Sequence, residues 1–355
     1  MQHQCHVCHY FIGPGLPGEK YLGTEGLFDI QNGWKAYFLA GGTAALKTAF
    51  LQKLIENFEE KGPLEIFYDS WNAQIMVGVR FPDQHICVLD GLYFGYTNLC
   101  PGFGERIISM DDCLRTEALQ EHAAQIILFQ ARELAARERA NRFIKASNAL
   151  MEDSIQFVTE CVDTPKMQTV TNRMAKRLFS KTDQRGSESI RLLDAITSDG
   201  MVHFYDETAA QVQHIYVIED RHNVAPLYLN CLRDAAIQSG QHVISCVSPV
   251  SAGSRVEHLL FPDISTAFLT SSQFHTAKGC RHLHMSRFLN KEQMAAKRAW
   301  MTFNRRTTRA LLKQAVLLFG EAEENRKIMQ SFYDKAVNQK ALKKVEDQVI
   351  EGISV

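Results

Sequence analysis

One order of elements occurs twice in this chain, about 180 residues apart, the size of one domain. Arg80-Phe81-Pro82-Asp83 precedes the apolar run Ile86-Cys87-Val88-Leu89, and Leu260-Phe261-Pro262-Asp263 precedes Thr266-Ala267-Phe268-Leu269. Upstream, Tyr37-Phe38-Leu39 matches Tyr216-Val217-Ile218, and each is followed by a short loop and a helical pattern. Phe50, Leu51, Leu54, Ile55 and Phe58 keep helical spacing before Gly62, as Leu229, Leu232, Ala235 and Ala236 do before Gly240. Strand-like Leu64-Glu65-Ile66-Phe67-Tyr68 and Val243-Ile244-Ser245-Cys246-Val247 come next. Strand, helix and strand in succession predict parallel pairing with right-handed crossovers, so the fold class is α/β.

Each repeat then turns into a charged, periodic stretch with few glycines or prolines. Leu119, Ala123, Ile126, Ile127, Leu134, Phe143, Leu150, Ile155 and Val158 keep three-to-four spacing, as a long amphipathic helix does. The expected division is residues 1–185 and 186–355. The first half has an α/β core over about 9–111, a helical segment over about 112–162 and a linker over 163–185, part of the polar stretch from Asp163 to Ser189. The second has a core over about 190–289 and a helical segment over about 290–348. The long helices predict a protein partner or a homo-oligomer.

Hydrophobic residues at 45% and charged residues at 22% exclude a disordered chain, and a net charge of −1 gives no global attraction to nucleic acid or anionic membranes. No apolar run reaches the ~20 residues of a membrane span. Met1-Gln2-His3-Gln4-Cys5 has neither a basic nor an apolar signal region, and nine scattered cysteines suit a reducing compartment. A cytoplasmic location is the expectation.

The strongest site candidate lies in the first repeat. Strand Ala36-Tyr37-Phe38-Leu39-Ala40 runs into Gly41-Gly42-Thr43-Ala44-Ala45-Leu46-Lys47-Thr48 and then a helix. A phosphate-binding P-loop has Gly, four residues, Gly, Lys and Ser or Thr in that context, so that backbone N–H groups cradle phosphate while the hydroxyl reaches Mg²⁺. Gly41, Lys47 and Thr48 fit, while Leu46 stands at the second glycine. Asp90 ends the apolar strand before Gly91, where a carboxylate can hold Mg²⁺ or simply form an Asp-Gly turn. The second repeat reads Glu219-Asp220-Arg221-His222-Asn223-Val224-Ala225-Pro226, with two acids, no lysine and a proline that removes a donor. Thr270 replaces Asp90 there, and no nucleotide is expected in that half.

Other clusters are weaker. Cys5-His6-Val7-Cys8-His9 matches a haem-attachment pattern whose chemistry needs export, so haem is not expected. His3, Cys5, Cys8 and His9 offer Zn²⁺ ligands, but a second Cys pair is missing and a strand is the competing reading. In Cys280-Arg281-His282-Leu283-His284 the two histidines share one strand face, and the repeat aligns them with the plain strand Arg106-Ile107-Ile108-Ser109. Arg298, Arg305, Arg306, Arg309 and Lys313, followed by Glu321, Glu323 and Glu324, read as a solvated helix face rather than a nucleic-acid site.

With these residues the chain resembles a family of bacterial proteins, mostly of unassigned role, built from two P-loop ATPase-like halves. The resemblance spans about residues 9 to 350, opens each half with a hairpin-like segment (His9-Tyr10-Phe11 and Arg191-Leu192-Leu193), and implies two tandem three-layer domains with helical appendages. It also implies Mg-ATP in the first half: Gly41 and Gly42 on phosphates, Lys47 neutralising them, and Thr48 with Asp90 on Mg²⁺. Family members carry a glycine-threonine-glycine-lysine-serine type of loop, from which Ala44, Leu46, Pro226 and Thr270 depart. Three functions stay open on this reading: a nucleotide-binding ATPase-like protein, a non-enzymatic pseudo-ATPase scaffold, and a small-molecule phosphotransferase.

Overall fold

The computed structural model describes residues 7–13, 21–24, 26–59, 62–94, 102–180, 182, 184–251, 253, 255–270 and 281–354. Strand β1 (Val7–Ile12) is followed by β2 (Lys35–Ala40), α1 (Ala44–Phe58), β3 (Leu64–Asp69), β4 (Asn72–Phe81), β5 (Ile86–Asp90), the one-turn α2 (Gly91–Phe94) and β6 (Glu105–Ser109). Helices α3 (Thr116–Gln120), α4 (Ala123–Glu160) and α5 (Thr164–Leu178) come next. The second half has β7 (Glu188–Arg191), β8 (Asp194–Thr197), β9 (Gly200–His203), α6 (Tyr205–Gln211), β10 (His214–Glu219), α7 (Ala225–Gln238), β11 (Val243–Val247), β12 (Val256–Phe261), β13 (Thr266–Thr270) and β14 (Arg281–His284). Helices α8 (Lys291–Ala296), α9 (Arg298–Ala336) and α10 (Gln339–Ser354) end the chain.

The architecture is mixed α/β with two six-stranded mixed sheets. The first sheet runs β1-β3-β4-β5-β2-β6, and the second, read from its far edge, runs β7-β11-β12-β13-β10-β14. Strand directions agree position by position: β1/β3, β2/β5 and β2/β6 are parallel, as are β7/β11, β10/β13 and β10/β14. The intervening β3/β4, β4/β5, β11/β12 and β12/β13 pairs are antiparallel. Register agrees too, since Leu39 faces Asp90 and Ile218 faces Thr270.

The expected parallel pairing of successive strands is therefore incomplete. β2 and β3 are separated by β5 and β4, because β4 folds back on β3 through Ser70 and Trp71 and fills the place a crossover strand would take. Of the segments read as hairpin-like, His9-Tyr10-Phe11 lies in β1, a parallel edge strand, whereas Arg191 ends the parallel edge strand β7 and Leu192-Leu193 connect it to β8. Strand β5, and β11 one place in from the β7 edge, are buried throughout, and their near-continuous apolar sequences follow from that.

By spatial contacts the chain divides into two compact units, each drawn from more than one segment of the sequence. One comprises Met1–Asn141, Ala195–Val202 and Val316–Val355; the other comprises Arg142–Asp194 and His203–Ala315. The long helices α4 and α9 contribute residues to both, which a linear cut does not anticipate. In the first unit, Leu46, Phe50, Leu51, Leu54 and Phe58 of α1 pack with Ile66, Val79 and Val88 of the sheet and with Leu342, Val349 and Ile353 of α10. Helix α1 ends at Phe58 with Glu59 as its C-cap, short of Gly62. In the second unit α7 packs on β12, and α5 packs on α7.

The stretch read as a linker is thus mostly helix α5. Asp163 caps its N-terminus by accepting from the Lys166 N–H at 3.0 Å, Pro165 sits in its first turn, and Met167, Thr171 and Met174 are buried at helical spacing. Helix α4 buries Ile126, Glu133, Ala136, Ala140, Ile144 and Ser147, whereas Ile127 and Leu134, expected on the apolar face, are 65% and 46% exposed. Among the described residues no helix is long and apolar enough to cross a membrane.

Candidate functional site

The loop between β2 and α1 is short. Gly41 and Gly42 take φ of 70° and 66°, and Thr43 caps the helix, its hydroxyl accepting from the Leu46 N–H at 3.2 Å. Helix α1 begins at Ala44, so Lys47 lies inside the helix rather than in the loop. Its side chain is 7% exposed, and Nζ lies 2.5 Å from the Asp90 carboxylate, itself 4% exposed. The other Asp90 oxygen accepts from the Leu92 N–H at 3.0 Å and so caps the turn of α2. The Thr48 hydroxyl accepts from the Met76 N–H at 3.1 Å and ties α1 to β4. The structure brings Lys47 and Asp90 together but turns them onto each other, and it turns the Thr48 hydroxyl onto backbone.

The two glycines are filled from within. The Gly42 N–H donates to the Asp111 carboxylate at 2.8 Å, and a Cβ at Gly41 would overlap that carboxylate. A Cβ at Gly42 would come 2.7 Å from Met110 Cβ. Both positive φ values and close approaches therefore have an internal cause. Asp111 stands just after β6, and nothing in the loop's own sequence pointed to it. In the second half a local carboxylate stands at the start of α7: Asp220 accepts from His222 N–H at 3.0 Å and from Ala225 N–H at 2.6 Å.

Two buried polar groupings were not anticipated from the sequence, and the first takes in Glu323, which had read as part of a solvated helix face. In the first unit, Asp69 at the end of β3 is 1% exposed, receives the Tyr93 hydroxyl, and accepts from the Trp71 N–H at 3.2 Å. Burial pushes the Asp69 carboxyl up from its ordinary value against the pull of the Arg137 charge, and burial with Asp69 pushes the Tyr93 hydroxyl well up. Arg137 of α4 stacks over Trp71, 4.5 Å from the ring centroid. Asn72 donates to Glu323 of α9 at 2.6 Å, and Arg326 pairs with Glu323 at 2.7 Å. The cluster fastens both long helices to the β3–β4 turn. Its cavity, lined by Asp69, Trp71, Tyr93, Arg137 and Phe319, has about 20 Å³ of room, enough for one water but not a substrate.

In the second unit, Asp194, Glu257 and His258 form the one cluster with metal-ligand composition among the described residues. The Thr270 N–H donates to His258 Nδ1 at 2.9 Å, so Nδ1 accepts and the ring proton sits on Nε2. Nε2 in turn donates to Asp194 at 2.7 Å, with the Tyr205 hydroxyl 3.3 Å away. A nitrogen that carries a proton cannot ligate a cation, and Glu257 is already paired with Arg255 at 3.2 Å. The grouping is a buried hydrogen-bond network, and adding Zn²⁺ or EDTA should leave the melting temperature unchanged. A rise of several degrees with stoichiometric Zn²⁺ in a thermal melt would contradict this assignment.

The remaining sequence candidates fall into place simply. His282 and His284 of β14 both contact Glu219, at 2.9 and 2.7 Å. Although burial alone would raise it, hydrogen bonds from these histidines hold the Glu219 carboxyl below its ordinary value. Cys8 and His9 lie in β1, with His9 Nδ1 3.2 Å from the Tyr68 hydroxyl, while His3 and Cys5 lie outside the described residues. Arg298, Arg305, Arg306, Arg309 and Lys313 are exposed along α9. No protein-family model, curated protein or solved structure matches this chain.

Proposed function

We propose that this chain is a duplicated, P-loop-like scaffold without a working nucleotide site, acting as a protein-interaction or regulatory protein through its long helices. The observation that carries this reading is the buried Lys47–Asp90 ion pair. In a working P-loop the lysine reaches into the loop toward phosphate. Drawing Lys47 away would leave Asp90, 3% exposed, as an uncompensated buried charge, at a cost of about 3–5 kcal/mol. That cost weakens any nucleotide by a factor of roughly 10² to 10⁴. Mg²⁺ does not readily replace Lys47 at Asp90, because the Thr48 hydroxyl that would share the ion is committed to Met76. The carboxylates of Asp111 and Asp220 at the two helix starts favour the same reading. The identical strand order and directions of the two sheets support descent from one duplicated unit.

The opposing reading places Mg-ATP on Gly41, Gly42, Lys47, Thr48 and Asp90. Thermal melts separate the two. A ligand at about 100 times its Kd stabilises by about 2.7 kcal/mol, so a micromolar site would raise Tm by several degrees at millimolar nucleotide. We expect no rise with MgATP, MgGTP or pyrophosphate. A rise in wild type that vanishes in Thr48→Ala would establish the nucleotide reading instead.

A further inference from the structure

Helix α4 carries two apolar stripes where a surface helix needs one. Its buried seam runs through Ile126, Glu133, Ala136 and Ala140. On the opposite side, Ala124, Ile127, Leu128, Ala131, Leu134 and Ala135 repeat at i, i+3, i+4, i+7, i+10 and i+11, and all six are exposed. Ile127, Leu128 and Leu134 are 65%, 47% and 46% exposed. A stripe of this spacing, three turns long, is shaped to receive another helix.

We propose that this stripe pairs with the same stripe of a second copy of the chain, antiparallel, about a two-fold axis between Leu128 and Ala131. The inference deepens the interaction-protein reading above and rests on it. The charges around the stripe choose the partner and its direction. Exposed Arg115, Glu117 of α3 and Glu121 precede the stripe and sum to a net negative charge, while exposed Arg132, Glu138, Arg139 and Arg142 lie along and beyond its C-terminal end and sum to a net positive one. An antiparallel copy sets the net acidic end against the net basic end, with Glu117 level with Arg142 and Glu121 level with Glu138, and a parallel copy brings like against like. The helix dipoles favour the same direction. With the axis so placed, Ala131 faces Leu128 and Ala124 faces Ala135, so small side chains meet large or small ones without overlap. The stripe is short against the roughly 1,200 Å² of a stable interface, so the dimer dissociates on dilution.

Sedimentation velocity on the full chain over a range of concentrations tests the pairing. The expected result is a shift from 40.3 kDa toward twice that mass as concentration rises. The shift should be lost in Ile127→Glu and in Leu134→Glu, whose exposed positions leave the thermal melt unchanged. Oxidative cross-linking tests the direction, read above the wild-type background. Ala131→Cys, offset by only about 5 Å along the axis from its mate, should link to itself. Ala124→Cys should link to Ala135→Cys in a mixture and not to itself. A wild type that stays monomeric at all concentrations, or a dimer that survives both glutamate substitutions, overturns the proposal, and self-linking of Ala124→Cys overturns its antiparallel form. A monomer that binds no nucleotide removes this interface and leaves the proposed function standing, whereas nucleotide binding removes that function whatever the mass.

Discussion

Lys47→Ala should destabilise the protein by about 3–5 kcal/mol with no nucleotide present, because it strands the Asp90 carboxylate in the core. A lysine that waits in an open loop for phosphate would be nearly neutral on removal, since exposed helix positions change stability by about 0.5 kcal/mol or less. The double replacement Lys47→Met with Asp90→Leu should recover most of the loss, as apolar substitutes for a buried ion pair commonly do. Chemical denaturation of the two single variants and the double variant measures the coupling. Near-additive losses would mean that the pair contributes nothing and that Lys47 is free for another task.

His258→Ala should cost at least about 3 kcal/mol. It removes a ring whose two nitrogens are both engaged, leaving the Asp194 carboxylate, 4% exposed, and the Thr270 N–H without their shared partner. Tyr205, 7% exposed, loses the ring it meets edge-on at 5.1 Å. Denaturant midpoints check this, and a loss below about 1 kcal/mol, the worth of one ordinary hydrogen bond, would show that the network is not taut. Since Nε2 carries the proton toward Asp194, no metal should rescue the wild-type site or protect it from unfolding.

The recurring order of elements was legible in the sequence because the same physical demands recur: a buried strand, a tight loop and a helix with one apolar face. The register of Leu39 with Asp90 and of Ile218 with Thr270 follows the alignment drawn from Tyr37-Phe38-Leu39 and Tyr216-Val217-Ile218. What stayed hidden was non-local. Strand β4, with Gln74 and Gly78 among its apolar residues, has no clean alternation, and only its pairing on both sides makes it central. Helix α5 was masked by polar composition, although Asp163, Pro165 and the Met167–Thr171–Met174 spacing were local signals of a capped helix.

The choice of face on α4 was not legible either. Ile127 and Leu134 are as apolar as Ile126, and the buried seam is fixed instead by charged partners: Arg137 beside Asp69 and Trp71, and Glu133 beside Arg137 at 3.5 Å. In the candidate site, Lys47, Thr48 and Asp90 were visible from spacing alone. Their closure was not, because it depends on where α1 starts and on Asp111, about seventy residues downstream of the loop, reaching the Gly42 N–H.

Calorimetric titration of the wild-type protein with MgATP and MgGTP tests the central claim most directly. We expect no saturable heat up to millimolar nucleotide, with the protein folded throughout, because the cation and the loop are already satisfied by Asp90 and Asp111. Saturable binding at micromolar concentration would contradict the account, for it would mean that Lys47 leaves Asp90 at little cost and that the loop still receives phosphate.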